Sequence, residues 1–140
     1  MERIDSLREY RLDNGLYIAL QKTPTKNIES HLEVNLGTVH EEEGQKGIVH
    51  FLEHVLVTGG TEKFSPEKVL DIKSYLGSFN AHTSIESTRF EGGFMVEDLE
   101  LYLDMISSSV FNPLFQVEKV EEERRRILRE ITDSMTSSAP

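Results

Sequence analysis

The sequence contains no cysteine, and its positive charges are outnumbered by negative ones. Without thiols the chain forms no disulfide and offers no thiolate to a metal, so a metal site has to be built from histidine and carboxylate. Fifteen basic residues against twenty-five acidic residues give a net charge of −10. This excess of negative charge argues against binding to nucleic acid and to an anionic membrane surface.

Long apolar runs are also missing. No segment reaches the ~20 apolar residues that a membrane-spanning helix needs. The first residues hold no apolar stretch typical of a signal peptide, and they are too acidic for a transit peptide. Because the absence of cysteine also suits a reducing compartment, we expect a cytoplasmic location. A hydrophobic share of 37% with 29% charged residues is ordinary for a folded chain, so we expect residues 1–140 to form one domain.

One short motif carries most of the chemistry. His50, Glu53 and His54 have the spacing H-x-x-E-H, which is typical of inverted zinc peptidases. On a helix the two histidines project from one face and can hold one cation. Zinc held in this way lowers the pKa of a bound water toward ~7, and the nearby carboxylate can accept the proton. From the spacing alone, a solvated pair or a satisfied core histidine is an alternative of about equal weight.

The residues around the motif indicate how its helix packs. Apolar side chains recur there at intervals of three and four residues, which predicts one buried stripe with the polar trio at its border. The members of this predicted stripe are Ile48, Phe51, Leu52, Val55 and Leu56.

A catalytic zinc normally has three protein ligands, so a third must come from elsewhere. The segment 117–131 is typical of a charged helix, in which Glu123, Ile127 and Glu130 share one face. Two carboxylates on one face suit a ligand and its hydrogen-bonding partner.

The same segment has a simpler interpretation. It can be a solvated helix held by ion pairs between residues four apart, and the charge pattern alone favours this alternative. The pairs expected in that case are Glu121 with Arg125 and Glu122 with Arg126. In either case the apolar contacts are expected from Val120, Leu128 and Ile131.

The order of elements predicts an α+β fold with helices packed on one face of a sheet. The pattern indicates three strands, two helices, two strands and two helices, with a hairpin turn at 13–15. Ser65 and Pro66 are typical of a helix start, and Gly77 of a helix end. Gly92 and Gly93 predict a bulge or a close approach within the last strand. The strands are expected at 8–12, 16–21, 32–36, 80–84 and 87–96.

Four ordered blocks of the chain resemble the pitrilysin-like zinc metallopeptidases of family M16, which include the β-type subunits of mitochondrial processing peptidases. The block with the H-x-x-E-H spacing and its exit loop are similar to that family. So are a stretch G-x-x-N-A-x-T-x-x-x-x-T and a downstream E-R-x-x-x-x-x-E. These blocks span residues 37–54, 58–64, 77–88 and 123–130.

The resemblance implies a fold and a set of roles. The fold would be the LuxS/MPP-like metallohydrolase domain, present as an N-terminal part or half-subunit that a second homologous domain or subunit completes. One zinc would be held by His50, His54 and Glu130, with Glu53 as general base. The further residues implied are Glu123 as support for the site, and Asn80, Ala81 and Thr83 as an edge strand that binds a peptide substrate.

Two functions therefore stand side by side. The first is a zinc metalloendopeptidase domain that cleaves extended peptides or oligopeptides through a zinc-bound water. The alternative is a noncatalytic zinc-binding or assembly module of a peptidase-like complex. The presence of every implied site residue favours the enzyme.

Overall fold

The computed structural model describes residues 7–137, and the order of its elements is the predicted one. Three strands are followed by two helices, two strands and two further helices, which confirms the α+β class. The elements are β1 (Leu7–Arg11), β2 (Tyr17–Gln21), β3 (Asn27–Val34), α1 (Ile48–Thr58), α2 (Pro66–Leu76), β4 (Ser78–Thr83), β5 (Thr88–Met95), α3 (Leu99–Phe111) and α4 (Val117–Ser137).

The main sheet has three antiparallel strands in the order β3-β5-β4. In the central strand β5, Phe90 pairs with Leu32 of β3 and with Ala81 of β4. Side chains of β5 alternate between buried and more exposed positions, because successive residues of a strand point to opposite faces. Phe90 and Phe94 therefore face the helices. The core beneath those helices comprises Leu56, Val69, Ile72, Leu76, Phe90, Phe94, Tyr102, Met105 and Ile106.

The first two strands form a hairpin outside this sheet. They pair only with each other within residues 7–137, so the expectation of one sheet is wrong for this segment. The predicted turn is present: Gly15 has φ +89°, and the Asn14 side chain accepts a hydrogen bond from the Leu16 N–H at 3.1 Å. Nine of the ten strand residues are exposed, so these strands bury little surface against the other elements within residues 7–137. Turn chemistry forms this hairpin without a core beneath it.

Gly92 allows helix α3 to lie close against the sheet. The pairing of β5 continues through this position, with Phe79 on one side and Ser30 on the other, so no bulge forms. A Cβ at Gly92 would lie 2.3 Å from the Tyr102 ring. Tyr102 also stacks on Phe94 with ring centroids 4.2 Å apart. Of the two predicted alternatives, the glycine therefore serves a close approach.

Helix α1 begins with an arrangement that the sequence did not predict. Gly47 has φ +89°, and the Glu41 carboxylate accepts hydrogen bonds from the N–H groups of Gly47 and Val49, at 2.9 and 3.0 Å. These are N–H groups that a helix start leaves without an internal partner. Ile48 is 49% exposed, so it does not belong to the buried stripe; Val49 is buried instead. As the first helical residue, Ile48 lies at the exposed edge of the helix start.

Helix α2 begins and ends as predicted. The Ser65 hydroxyl accepts a hydrogen bond from the Lys68 N–H at 3.2 Å, and Pro66 occupies the first turn. At the other end Gly77 has φ +85°, a conformation that glycine adopts without strain.

Helix α4 packs on α1 through one narrow face. Glu123 and Ile127 are buried there, 4% and 8% exposed. Leu128 and Ile131 are exposed, which corrects the expectation that both supply apolar contacts, and Val120 is half-buried. The reason is that α4 contacts α1 along a single side, so neighbouring positions remain outside the contact. No helix within residues 7–137 is long and apolar enough to cross a membrane.

Candidate metal centre

Two histidines of α1 form the base of the site. His50 and His54 are one turn apart, and the helix directs both side chains to the same face. Their Nε2 atoms lie 3.1 Å from each other. Two ligand atoms of one tetrahedral zinc are about 3.3 Å apart, given bonds of about 2.0–2.1 Å. The separation of the two nitrogens therefore suits a shared ion.

The predicted third donor, Glu130, lies on α4. The Glu130 Oε2 atom lies 3.9 Å from the His54 Nε2 atom. One donor atom from each of His50, His54 and Glu130 lies within 4.8 Å of the others, and this is the only such group of histidine and acidic side chains within residues 7–137. The two helices bring it together across a separation of 130 − 54 − 1 = 75 residues.

Glu123 contacts the His54 ring on the side of Nδ1, away from the Nε2 atom that faces the other donors. Its Oε2 atom lies 3.1 Å from His54 Nδ1. A carboxylate beside Nδ1 keeps the proton on that nitrogen, so the Nε2 lone pair faces Glu130 and His50. Glu123 is 4% exposed, and its other oxygen lies 3.7 Å from Arg126 Nη1. The supporting role that the resemblance implies for Glu123 stays a prediction; the structure places its carboxylate against the His54 ring.

Glu53 lies buried next to this group, between α1 and the sheet. It is 7% exposed, and its carboxylate accepts a hydrogen bond of 2.6 Å from the Thr83 hydroxyl of β4. A buried carboxylate with a single donor keeps other lone pairs available to a proton. The substrate contact that the resemblance implies for Thr83 stays a prediction; in the structure its hydroxyl connects β4 to Glu53.

The other two residues of the predicted substrate strand lie on different faces of β4. Ala81 is half-buried on the side of the helices, together with Thr83, whereas Asn80 is exposed. Within residues 7–137, β4 pairs with β5 alone, so it is an edge strand as expected. Its free edge can accept an added strand.

A cleft of about 250 Å³ opens beside the donor group. Glu53 and His54 form one side, and Val57 and Phe79 supply apolar surface. A larger depression of about 460 Å³ lies around Gly77 and does not include the donors. The smaller cleft is therefore the one that matters for chemistry at the site.

Two cations in this cleft were missed by sequence reasoning. Lys73 of α2 and Arg126 of α4 both line it. The signal for Lys73 was available, because it follows the apolar Val69 by four residues and so falls on the same face of the helix. Arg126 was considered only as a surface ion-pair partner of Glu122. Its acidic neighbours in the structure are Glu123 and Glu130, at 3.7 and 3.8 Å.

The surface ion pairs observed on α4 also differ from the predicted ones. Arg124 pairs with Glu121 at 3.5 Å, and Lys119 pairs with Glu122 at 3.0 Å. These contacts join residues three apart, because the helix brings both i+3 and i+4 positions into reach and the rotamer decides between them.

The donor set fits zinc better than a hard cation. Two imidazoles and one carboxylate, with no ring of oxygen ligands, match the preference of zinc for nitrogen ligands, whereas calcium and magnesium prefer oxygen. Three protein donors also leave one tetrahedral position for water or substrate, as in catalytic sites.

Comparisons with known proteins show the family of the chain. Residues 17–139 match the insulinase family, peptidase family M16. The chain therefore belongs to the M16 peptidase family, which confirms the resemblance found in the sequence.

Individual relatives are consistent with that family. A chloroplastic stromal processing peptidase from Oryza sativa subsp. indica is 35% identical over 130 residues, covering 86% of this chain and 10% of the relative. An uncharacterized zinc protease from Rickettsia bellii is 32% identical over 122 residues, covering 86% and 30%. The β subunit of the mitochondrial-processing peptidase from Dictyostelium discoideum is 29% identical over 120 residues, covering 85% and 26%. This chain thus spans less than a third of each relative.

The fold matches a solved structure as well. The first half of the periplasmic protease PqqL from Escherichia coli superposes with a TM-score of 0.84 at 24% identity, covering 95% of this chain and 30% of that chain. At this level of identity the match concerns the fold alone.

Proposed function

We propose that the chain is the zinc-binding catalytic domain of an endopeptidase that cleaves extended peptides or oligopeptides. The observation that carries the proposal is the convergence of His50, His54 and Glu130 beside the buried Glu53. Membership in a family of peptidases, and a relative named a zinc protease, support the same choice.

His50, His54 and Glu130 would hold one zinc ion per chain, with Glu123 fixing the orientation of His54. When bound, zinc supplies a Lewis acid that lowers the pKa of a water ligand toward ~7. The protein contributes the position of the donors and a dry wall around them, since α1 and α4 exclude water from the Glu123 side.

Glu53 is proposed as the general base. It accepts a proton from the attacking water and passes it to the leaving amine, a role worth about 10²–10⁴ in rate. The Thr83 hydroxyl holds one Glu53 oxygen at 2.6 Å, which fixes the direction of the other. Thr83 therefore positions the base.

The free edge of β4 is proposed to bind the substrate backbone. An extended peptide that adds as a strand obtains its register from main-chain hydrogen bonds, and its alternate side chains point toward the helices. Asn80 and Ala81 lie on this edge strand and line the cleft next to His54. A bound strand would thus run past the donor group.

A second homologous domain or subunit is proposed to complete the site. Residues 1–140 would be one domain of a larger assembly, because the chain spans only 10–30% of the relatives described above. A cytoplasmic location belongs to the same proposal and rests on composition alone; fractionation of cells with an antibody to the chain tests it.

The decisive experiment compares zinc content with peptide cleavage. Glu53→Gln keeps the size of the side chain and removes the proton acceptor, so zinc should stay bound while chelator-sensitive cleavage falls by about 10²–10⁴. Cleavage of a mixed peptide library is measured for the chain alone and together with a second homologous domain. Glu62→Gln, an exposed change outside the donor group and outside the cleft lining, is the matched control.

Two outcomes would contradict the proposal in different ways. An active Glu53→Gln protein would remove Glu53 from the mechanism. A wild-type chain that binds zinc but cleaves no peptide, with or without the second domain, would favour the alternative of a noncatalytic zinc-binding or assembly module.

A further inference from the structure

The cleft beside the donor group has a charge opposite to that of the whole chain. The chain carries −10, whereas the charged residues that line this cleft are two cations, Lys73 and Arg126, and one carboxylate, Glu53. Lys73 is half-buried. Its Nζ atom donates a hydrogen bond to the Val57 carbonyl at 3.1 Å and lies 4.9 Å from the centre of the Phe79 ring. These two contacts hold the ammonium at the wall of the cleft.

The Lys73 ammonium has spare hydrogen-bonding capacity. It carries three N–H donors, and the Val57 carbonyl uses one. No carboxylate within residues 7–137 comes as close as 4.0 Å to it, in contrast to Lys63 and Lys119, which both have acidic partners. Burial lowers the pKa of Lys73, the Arg126 charge adds to this effect, and Glu123 opposes it. An anion in the cleft would stabilise the charged form.

Arg126 adds a second positive charge on the opposite helix. Its nearest acidic contacts are 3.7 Å to Glu123 and 3.8 Å to Glu130, both longer than a direct hydrogen bond. The guanidinium can therefore turn toward a ligand without breaking a short ion pair. Val57 and Phe79 supply apolar surface between the two cations.

We propose that this cleft selects an acidic side chain, preferably glutamate, in the peptide that binds next to the donor group. The inference rests on the proposed peptidase function and adds a specificity to it. The methylene groups of the glutamate would pack on Val57 and Phe79, and its carboxylate would accept hydrogen bonds from Lys73 and from Arg126. A volume of about 250 Å³ accommodates one such side chain.

Equilibrium binding tests the preference without depending on turnover. The probes are three octapeptides, acetylated and amidated at their ends, that differ at one central position carrying Glu, Gln or Lys. They are titrated into the zinc-loaded Glu53→Gln chain, which should cut peptides about 10²–10⁴-fold more slowly, and binding is followed by amide shifts in NMR. The Glu peptide should bind about tenfold more tightly than the Gln peptide, because a charge-assisted hydrogen bond replaces a neutral one.

Variants at Lys73 separate charge from packing. Lys73→Met keeps the length and the contact with Phe79 but removes the charge, so the preference for Glu over Gln should fall below about twofold. Lys73→Arg should restore most of it. Lys68→Met removes an exposed charge from the same helix and should leave the preference unchanged. Rising salt should weaken the preference, since ions screen the partly exposed pair.

The failures of the two proposals are distinguishable. The proposed specificity would be overturned if the Glu53→Gln chain bound the Glu and Gln peptides equally well, or if Lys73→Met left the preference for Glu undiminished. Either result would leave the proposal of peptide binding intact. If none of the three peptides binds, the proposed peptide substrate itself is contradicted and the specificity falls with it. If the Lys73 variants fold poorly, the comparison of the Glu and Gln peptides on the Glu53→Gln chain still tests the specificity.

Discussion

Two regions of the molecule are stabilised in different ways. One is the contact between helices α1 and α4, and the other is the hairpin formed by β1 and β2. Glu53, Glu123 and Ile127 are buried between helices or against the sheet, and each polar member has a partner. Among the ten strand residues of the hairpin only Ile18 is half-buried. The helices are held by tertiary contacts that fix their side chains, whereas the hairpin is held by its turn and its own ladder.

The difference shows where a change in the chain should matter. A two-stranded hairpin is marginally stable in water, and its exposed Leu7, Tyr10 and Leu20 gain little from folding. A side chain in the helical layer, by contrast, touches several elements at once. We therefore expect large effects from small changes near α1, and small effects from larger changes in β1 and β2.

The largest effect is expected from removing a donor. His54→Ala should weaken zinc binding by more than about 100-fold, because it removes one ligand and leaves Glu123 without the imidazole that it orients. Zinc is measured by elemental analysis after dialysis and by calorimetric titration. His82→Ala, an exposed histidine on β4, serves as the control and should bind zinc normally. Full occupancy in His54→Ala would contradict the assignment of the site.

The second largest effect is expected where helix α3 packs closely against the sheet. Gly92→Ala should lower the free energy of unfolding by about 1–3 kcal/mol, because the new methyl would overlap the Tyr102 ring. Urea denaturation measures it. Gly93→Ala is the matched control, since its nearest neighbours are the oxygens of the Glu29 carboxylate at 3.2 Å, and that side chain can turn away. Equal losses in both variants would refute the explanation.

A smaller effect is expected at the start of α1. The N–H groups of Gly47 and Val49 lower the pKa of Glu41 below its ordinary value of 4.5. The contribution of the Glu41 carboxylate to the free energy of unfolding is therefore fully present above pH 4.5. It is lost as the pH falls through the lowered pKa of Glu41. Glu41→Gln should reduce Tm by about 3–5 °C at pH 7.

The pH dependence provides the check on that prediction. The difference in Tm between Glu41→Gln and the parent chain should shrink as the pH is lowered below 4.5, because the parent loses its carboxylate there. Glu42→Gln, a neighbouring change with no hydrogen bond to α1 within residues 7–137, should have little effect at any pH. If the difference in Tm stayed constant down to pH 3, the charge of Glu41 would make no contribution to the stability of the helix start.

The smallest effect is expected in the hairpin. Leu20→Ala should change the free energy of unfolding by less than about 0.5 kcal/mol, because the Leu20 side chain is 53% exposed. The same substitution at the buried Leu56 should cost about 2–5 kcal/mol. Both are measured by urea denaturation. A loss above 2 kcal/mol in Leu20→Ala would show that the hairpin supports the fold.

Much of the fold and of the site could be predicted from local patterns. Ser65, Pro66 and Gly77 mark α2 because cap preferences act within a few residues. The H-x-x-E-H spacing predicts a shared face because a helix repeats every 3.6 residues. Glu130 was different: the charge pattern of α4 favoured a solvated helix, and only the resemblance to a family singled this residue out.

The rest depended on contacts between distant segments. The Glu41 cap needs a loop to return to the helix start, and no cap preference extends over six residues. The exposure of Leu128 and Ile131 follows from how little of α4 reaches α1, which periodicity alone does not reveal. Lys73 had a local signal in its spacing from Val69, but the cleft that it lines together with Arg126 exists only in the folded chain.

The 75 residues between His54 and Glu130 have a thermodynamic consequence. A cation held by both would act as a removable cross-link that closes a long loop of the chain. It would bind the folded state and not the unfolded one, so stability would increase with the logarithm of the free ion concentration, by about 2.7 kcal/mol at a hundredfold excess over Kd. The supply of metal would then set the lifetime of the folded chain against proteolysis, independently of any peptide cleaved.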